Sequence, residues 1–374
     1  MDICAASNQF AIDIFGVIDK SDPGQNVVLA PLSILTTLSM VYLGARGNTA
    51  AQMGKALHFS DVKEVHSSCK NLLRKLAESE GDYVLMNINK LFGEETFQFL
   101  PTFLKDTENF YGASLEELDF LNDPEKSRKY INDWITQQTQ GKIQELLPDR
   151  SVSENTALVL ANTFYFAANW TKPFSQRKTN KSPFTKISNE EVMVNMMHIT
   201  SHFNVKYVRN PGIKILELPY GTSGNIVMVV LVPDNISVFK QVKEQLSMEK
   251  LNIWMSPLKM QKMNVLVHLP KFSIQKSLCM KNILSSLGIV DAFNQNKANF
   301  SGMTEQSDMF VSEAYHQTFL EVNERGTEAA SSTASVMSVR SFPLEDVSVD
   351  LPFYYFIIEK TSSCILLSGM VYEP

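Results

Sequence analysis

Two periodicities divide the chain. From residue 3 to about 140 the apolar positions recur at helical spacing. Residues 31–43, PLSILTTLSMVYL, open with a proline suited to a first turn and are apolar almost all round, the pattern of a buried helix. From Asp123, the segment DPEKSRKYINDWITQQT begins with a capping carboxylate followed by Pro124 and sets Tyr130, Ile131, Trp134 and Ile135 on one face, its charges covering the other. The opening stretch MDICAASNQFAIDIFG has no basic leader, carries Asp2 and Asp13 among its apolar residues, and predicts an amphipathic first helix rather than a secretory signal.

After residue 155 the pattern becomes that of strands. Runs of β-branched and aromatic residues at 157–166, 225–233, 263–272, 309–322, 351–358 and 364–372 predict strands, several of them bounded by turn residues. Two polar residues interrupt this: Asn162 and His316 each sit in the middle of an apolar strand. Buried polar groups need partners, so the pattern predicts that these two bond to one another across strands.

The segment between Glu328 and Pro343 fits neither pattern. Ala329 to Ser335 are all Ala, Ser or Thr, and from Glu328 to Arg340 these two ends are the only charges. Flexible linkers lean on Gly, Pro or charge, which are scarce here. In an extended conformation Thr327, Ala329, Ser331, Thr333, Ser335 and Met337 share one uncharged face, while Glu328 falls on the other. Such a segment is suited to slide between two strands and pair with both.

Composition narrows the function classes. The 374 residues, 44% hydrophobic and 20% charged, allow a sizeable core, and no cluster among 16 glycines and 15 prolines marks an interdomain linker. One domain over 1–374 is therefore expected. A net charge of -6 argues against nucleic acid or anionic membrane as partner, and Lys70, Arg74 and Lys75 read as the solvated face of a helix. Cys4, Cys69, Cys279 and Cys364 stand far apart with no CxxC pair, so free thiols are expected and no zinc site is indicated. The longest charge-free run, 155–171, is too short and too polar to span a bilayer. The cytosol is the default compartment, with unconventional secretion left open; sequons at Asn169, Asn180, Asn235 and Asn299 then carry little meaning. GxSxG, HExxH, GxGxxG and Walker-type loops are all absent. No enzyme and no cofactor or metal is expected. Arg340 is the lone basic residue of the small-residue segment. Two readings stand on these residues alone: bait for a trypsin-like protease, whose specificity pocket carries an aspartate, or an ordinary exposed arginine.

Several blocks in order, NVVLAPLSILTTLSMVYLGARGNTAAQM, LVLANTFYFAANW, LPKFSIQKSLCMKNILSSLGIVDAFNQNKANFSGM, VSEAYHQTFLEVNERGTEAA and VDLPFYYFI, resemble the serpin family across essentially all 374 residues, and the opening without a secretory signal resembles its ovalbumin-like intracellular branch. The resemblance implies an α+β serpin fold with a large central β-sheet, two further sheets, a helix-rich N-terminal half and an exposed reactive-centre loop at about 326–350. It implies a monomeric suicide-substrate inhibitor that inserts the cleaved loop, about 327–340, into the central sheet with the protease held as an acyl-enzyme. On family spacing the scissile bond is Arg340-Ser341, the loop hinge is Gly326, Thr327, Glu328, Ala329 and Ala330, the polar shutter is Ser33, Asn162 and His316, and the breach residue is Trp170. Alternatives are a non-inhibitory serpin, an inhibitor that also acts on cysteine proteases, and an unrelated hydrolase. Three departures stand out: Ala30 where the family usually has a shutter serine, Ala168 for a usual glycine, and Ser368-Gly369-Met370 for a common Phe-Gly-Arg.

Overall fold

A computed structural model describes residues 2–21, 23–77, 83–256, 259–327 and 345–374. Its helices are α1 (Ile3–Ser21), α2 (Pro31–Gly44), α3 (Gly47–Ala56), α4 (Val65–Ala77), α5 (Pro101–Tyr111), α6 (Pro124–Gln138), α7 (Ile236–Gln245), α8 (Met248–Trp254) and α9 (Met280–Ser286). Its strands are β1 (Val27–Leu29), β2 (Tyr83–Glu94), β3 (Leu115–Leu118), β4 (Leu158–Asn169), β5 (Asn180–Thr185), β6 (Glu191–Val208), β7 (Ile213–Pro219), β8 (Ile226–Pro233), β9 (Gln261–Pro270), β10 (Phe272–Cys279), β11 (Glu313–Val322), β12 (Gly326–Thr327), β13 (Glu345–Ser348), β14 (Phe353–Glu359) and β15 (Cys364–Val371).

The sheet that matters for function runs β10-β11-β4-β2-β3, with β12 added to β4. β11 and β4 are parallel neighbours, whereas β2 and β10 flank them antiparallel. The remaining strands form a nine-stranded sheet in which β5 pairs the first part of β6 and β7 its last part. The two further sheets expected from the resemblance are therefore continuous through β6, an 18-residue strand. Within it β15 lies between β1 and β14. Asn8 of α1 locks onto its start, accepting from the Ile365 N–H at 2.9 Å and donating to the Ser363 carbonyl at 2.9 Å.

Alternation along β4 sorts its side chains between two cores. Leu158, Leu160, Phe164, Phe166 and Ala168 face the main cluster, which draws on residues from Ile3 to Tyr372. Val159 and Ala161 face a second cluster beneath α6, with Phe92, Ile131 and Ile135. Both faces are buried, so β4 reads as a continuous apolar run. α2 is buried nearly all round, as its composition predicts, with Pro31 in the first turn; Asp123 caps α6 through the Lys126 N–H at 3.2 Å.

Two expectations need correction. The run 263–272 is not one strand: it breaks at Lys271, and β9 and β10 join different sheets. Pro270 itself has no N–H to give the ladder; the Lys271 N–H makes the last bond to β6, at the Asn195 carbonyl, and from Phe272 onward the chain pairs with β11. The helical half also contains β2 and β3, so strands do not wait for residue 155. In β2 most side chains are half-buried, and polar Asn87, Asn89 and Lys90 break up the apolar signal. All four cysteines are free, Cys279 alone being exposed. Among the described residues no helix is long and apolar enough to cross a membrane, and no group of side chains could hold a metal ion.

Candidate functional site: the seam between two parallel strands and its hinge

β4 and β11 are hydrogen-bonded from the pair Val159/Glu313 up to Tyr165/Phe319, and those last two rings stack at 6.3 Å. Beyond this point the strands part. β11 ends in a tight turn, Asn323–Gly326, closed by an Asn323 N–H to Gly326 carbonyl bond of 2.8 Å and the reverse bond of 3.2 Å. The chain then returns antiparallel along β4, with Gly326 opposite Asn169 and Thr327 opposite Ala168. Only Phe166 and Ala167 separate this short return strand from the top of the β4/β11 seam. The backbone is thus already aimed into the seam.

Gly326 is required where it sits. Its φ is +142°, and an added Cβ would lie 2.0 Å from the Ala168 carbonyl oxygen and 2.7 Å from the Trp170 nitrogen. Trp170 holds the turn from below: its backbone N–H donates to the Arg325 carbonyl at 2.8 Å and its indole N–H to the Asn323 carbonyl at 2.9 Å. The ring, 4% exposed, stacks on Tyr220 at 4.2 Å. Core packing and turn support are combined in one side chain. Glu324, at the turn's corner, is buried against Lys271 (3.0 Å) and the Thr179 hydroxyl (2.8 Å). Burial opposes its ionisation, yet the Lys271 ammonium and the Thr179 hydroxyl hold the carboxyl below its usual range.

Midway down the seam His316 lies directly opposite Asn162. The expected bond joins them, His316 Nδ1 to Asn162 Oδ1. Nε2 accepts from the Thr318 hydroxyl at 2.6 Å and from the Ala30 N–H at 3.3 Å. With two donors aimed at Nε2, the proton belongs on Nδ1. Full burial pushes the His316 pKa down to about 3. Asn162 Nδ2 donates to the Ser33 hydroxyl at 2.6 Å and to Asn89 Oδ1; Ser33 in turn donates to Asn87 Oδ1 at 2.5 Å, and Thr37 to Asn89 at 2.9 Å. Ser33, Asn162 and His316 are therefore one network joining α2, β4 and β11.

Sequence reasoning missed Thr318, Asn87, Asn89 and Thr37. Thr318 bears on the Ala30 departure: it supplies a hydroxyl to the imidazole that residue 30 cannot. Asn87 and Asn89 share a strand face, and two asparagines two residues apart were the available signal. Ala168 is accommodated opposite Thr327 with 4% exposure. Ser368 is buried with its hydroxyl unpartnered, and Gly369 is needed, since a Cβ there would meet the Val27 carbonyl at 2.2 Å. Glu328, Ala329, Ala330, Arg340 and Ser341 lie outside the described residues.

The family model described as "Serpin (serine protease inhibitor)" matches residues 5–374. The chain is 40% identical to leukocyte elastase inhibitor of Sus scrofa, over 100% of this chain and 99% of that protein. It is 35% identical to plasminogen activator inhibitor 2 of Homo sapiens, covering 100% of both. The crystal structure of uncleaved ovalbumin superposes with a TM-score of 0.92 at 31% identity, again over 100% of both chains. A parallel seam approached by a returning hinge strand, with a histidine–asparagine latch across it, is the form this likeness takes here, and the chain belongs to the serpin family of serine protease inhibitors, which are not enzymes.

Proposed function

We propose that the protein is a suicide-substrate inhibitor of trypsin-like serine proteases, cleaved between Arg340 and Ser341 and trapping the acyl-enzyme by inserting residues 327–340 between β4 and β11. The observation that carries this reading is the pairing of Gly326 and Thr327 with Asn169 and Ala168. Continued without a slip, that register sets Ala329 opposite Phe166, Ser331 opposite Phe164, Thr333 opposite Asn162 and Ser335 opposite Leu160. Residues directly opposite one another point to the same face of a sheet. The uncharged face of the segment would then meet the main core, and Glu328, opposite Ala167, would point away from it. A charge on the core-side face would be buried without a partner at a cost of several kcal/mol.

In this reading Thr333 enters between Asn162 and His316, so the latch must open before the strand can pass. Fourteen residues at roughly 3.3 Å each carry the attached protease ~45 Å. Its catalytic groups are then pulled out of register before water releases the acyl bond, for which shifts near 1 Å suffice. Arginine at the cleavage position selects a pocket with an aspartate at its base. We read Gly326 to Ala330 as the hinge, Ser33, Asn162 and His316 as the shutter, Trp170 as the breach residue and the whole chain as one monomeric domain. The related proteins are named for elastase and for plasminogen activators, and Arg340 is the feature of this chain that favours an arginine-directed target.

The test is incubation with trypsin. An SDS-stable complex of summed mass is expected from the wild type and none from Arg340→Ala. Thr327→Arg, which puts a charge on the core-side face, should be cut at the same rate but not trap. Clean cleavage of the wild type without a complex would replace this reading with a non-inhibitory one.

A further inference from the structure

The chain between β4 and β6 carries a charge pattern that the fold does not require. Residues 172–186 hold five basic side chains, Lys172, Arg177, Lys178, Lys181 and Lys186, and no acidic one, in a chain of net charge -6. Lys186 is paired with Glu190 at 2.9 Å, and Lys172 donates to the Ser201 hydroxyl at 2.7 Å. Arg177, Lys178 and Lys181 are exposed and have no ion-pair partner among the described residues, and neither has Arg325 in the turn before the hinge. β5 pairs with β6 alone among the described residues, and Lys181 with Pro183 is a device that keeps such an edge from pairing further. That reason does not extend to Arg177 and Lys178, which stand outside the ladder in a single 3-10 turn, Gln176–Lys178.

The place of this segment gives its charges a direction. Near its start, the Phe174 N–H donates to the Glu324 carbonyl and the Thr179 hydroxyl to the Glu324 carboxylate, each at 2.8 Å. Near its end, the Thr185 N–H donates to the Asp350 carbonyl at 2.8 Å, two residues beyond β13. The two flanks of the loop, before Thr327 and after Glu345, are thus tied to one short stretch of chain. Glu324 is buried against Lys271 and does not cancel the exposed positive charges. At the root where the loop rejoins the fold the exposed charges are instead acidic, Glu345 and Asp346. The base of the loop is therefore polarised, positive where the loop departs and negative where it returns.

We infer that Arg177, Lys178, Lys181 and Arg325 form a docking surface for acidic side chains of the protease held on the loop, at a place outside its specificity pocket. The inference rests on the proposed function and narrows it: Arg340 selects arginine-directed proteases as a class, and the basic surface favours those whose cleft is flanked by carboxylates. Complementary charges of this kind act first on the rate of encounter and are screened by salt.

The test uses anionic and cationic trypsins, which share the arginine pocket and differ in surface charge. With their catalytic serine replaced by alanine, they report docking alone. At low salt the full-length chain should bind the anionic form about tenfold more tightly than the cationic one, and about 0.5 M NaCl should erase the difference. The double variant Arg177→Glu/Lys178→Glu, with circular dichroism and Tm unchanged, should bind the anionic form about tenfold more weakly than the wild type does. Lys105→Glu/Lys126→Glu, the same change of charge at exposed sites on α5 and α6, should bind it as the wild type does. Equal binding of the two trypsins, no effect of the changes at Arg177 and Lys178, or an equal effect of the two double variants overturns the inference. So does inorganic polyphosphate binding more tightly than anionic trypsin through Arg177 and Lys178, which would make the surface a polyanion site. The active enzymes separate this inference from the inhibitory reading, since both should reach the same yield of SDS-stable complex, the anionic one faster. Full trapping at equal rates refutes the docking surface alone; no complex with either enzyme refutes the inhibitory reading, and the inactive forms still decide the surface.

Discussion

Full burial holds the imidazole of His316 neutral. A second proton would have to go on Nε2, where the Thr318 hydroxyl and the Ala30 N–H already point. The unfolded chain takes up that proton near the ordinary value of 6.5, the folded chain only near 3. Between these values the unfolded state holds more protons, so stability falls as the pH falls. The contribution is complete above about pH 6.5 and shrinks by up to about 1.4 kcal/mol for each pH unit below it. His316→Gln should therefore lose less Tm than the wild type between pH 7 and pH 5. Parallel losses in the two proteins would show that another group governs the acid response. At the hinge, Gly326→Ala must place a methyl group against the Ala168 carbonyl with φ in a region that favours glycine. A destabilisation of about 2 kcal/mol, measured by urea unfolding, is expected. At this scale the sequence was legible where a polar residue stood alone among apolar ones, as His316 and Asn162 do. It was faint for Asn87 and Asn89, where only their spacing of two marks a shared face, and not legible for Thr318, whose neighbours are mixed in character and leave no contrast.

Among the elements, α6 controls the lower part of the seam. It covers the face of the sheet carrying Val159 and Ala161 of β4 and Tyr315 of β11. It also grips the segment that follows it. Asn132 accepts from the Leu146 and Leu147 N–H groups at 3.0 and 2.9 Å and donates to the Leu147 carbonyl at 2.9 Å. Arg128 makes a forked pair with Glu125, both bonds at 2.8 Å, and donates to the same Leu147 carbonyl at 2.9 Å. A strand entering between β4 and β11 passes under this clamp. Asn132→Ala leaves two buried donors without their acceptor, and a loss of about 2–3 kcal/mol is expected. If α6 restrains insertion, the same variant should trap trypsin faster despite being less stable; a lower Tm with an unchanged trapping rate would assign the clamp to folding alone. Elements marked by a strong apolar pattern, periodic in α6 and continuous in α2, β4 and β8, could be read directly from residue order. β9 and β10 could not be separated that way, because the strand-like pattern runs on through Pro270 and the choice of sheet is made by distant partners, β6 for β9 and β11 for β10.

For the whole molecule, the seam sets up a comparison of two states. In the structure β4 and β11 hydrogen-bond to each other; in the proposed inserted form each would pair instead with a strand between them, which would add a ladder and bury the small-residue face. Cleavage at Arg340 should accordingly raise the Tm, and a nicked protein melting at or below the intact one would remove the driving force that trapping requires. The segment proposed to insert is marked in the sequence by its missing charges and uniform size. The seam proposed to receive it is not, since the parallel pairing of β4 with β11 brings together residues 154 positions apart.

The position of β15 carries a consequence for how the protein is made. This strand, residues 364–371, lies in the nine-stranded sheet between β1 and β14, and among the described residues Asn8 of α1 has its hydrogen-bond partners at Ser363 and Ile365. A nascent chain still threaded through the ribosome at residue 360 lacks those partners, and α1 and α2, although they can pack on one another, both wait for the strand they share. Part of their apolar surface stays uncovered until β15 emerges, which makes the emerging polypeptide a client for holding chaperones and puts its final collapse after release.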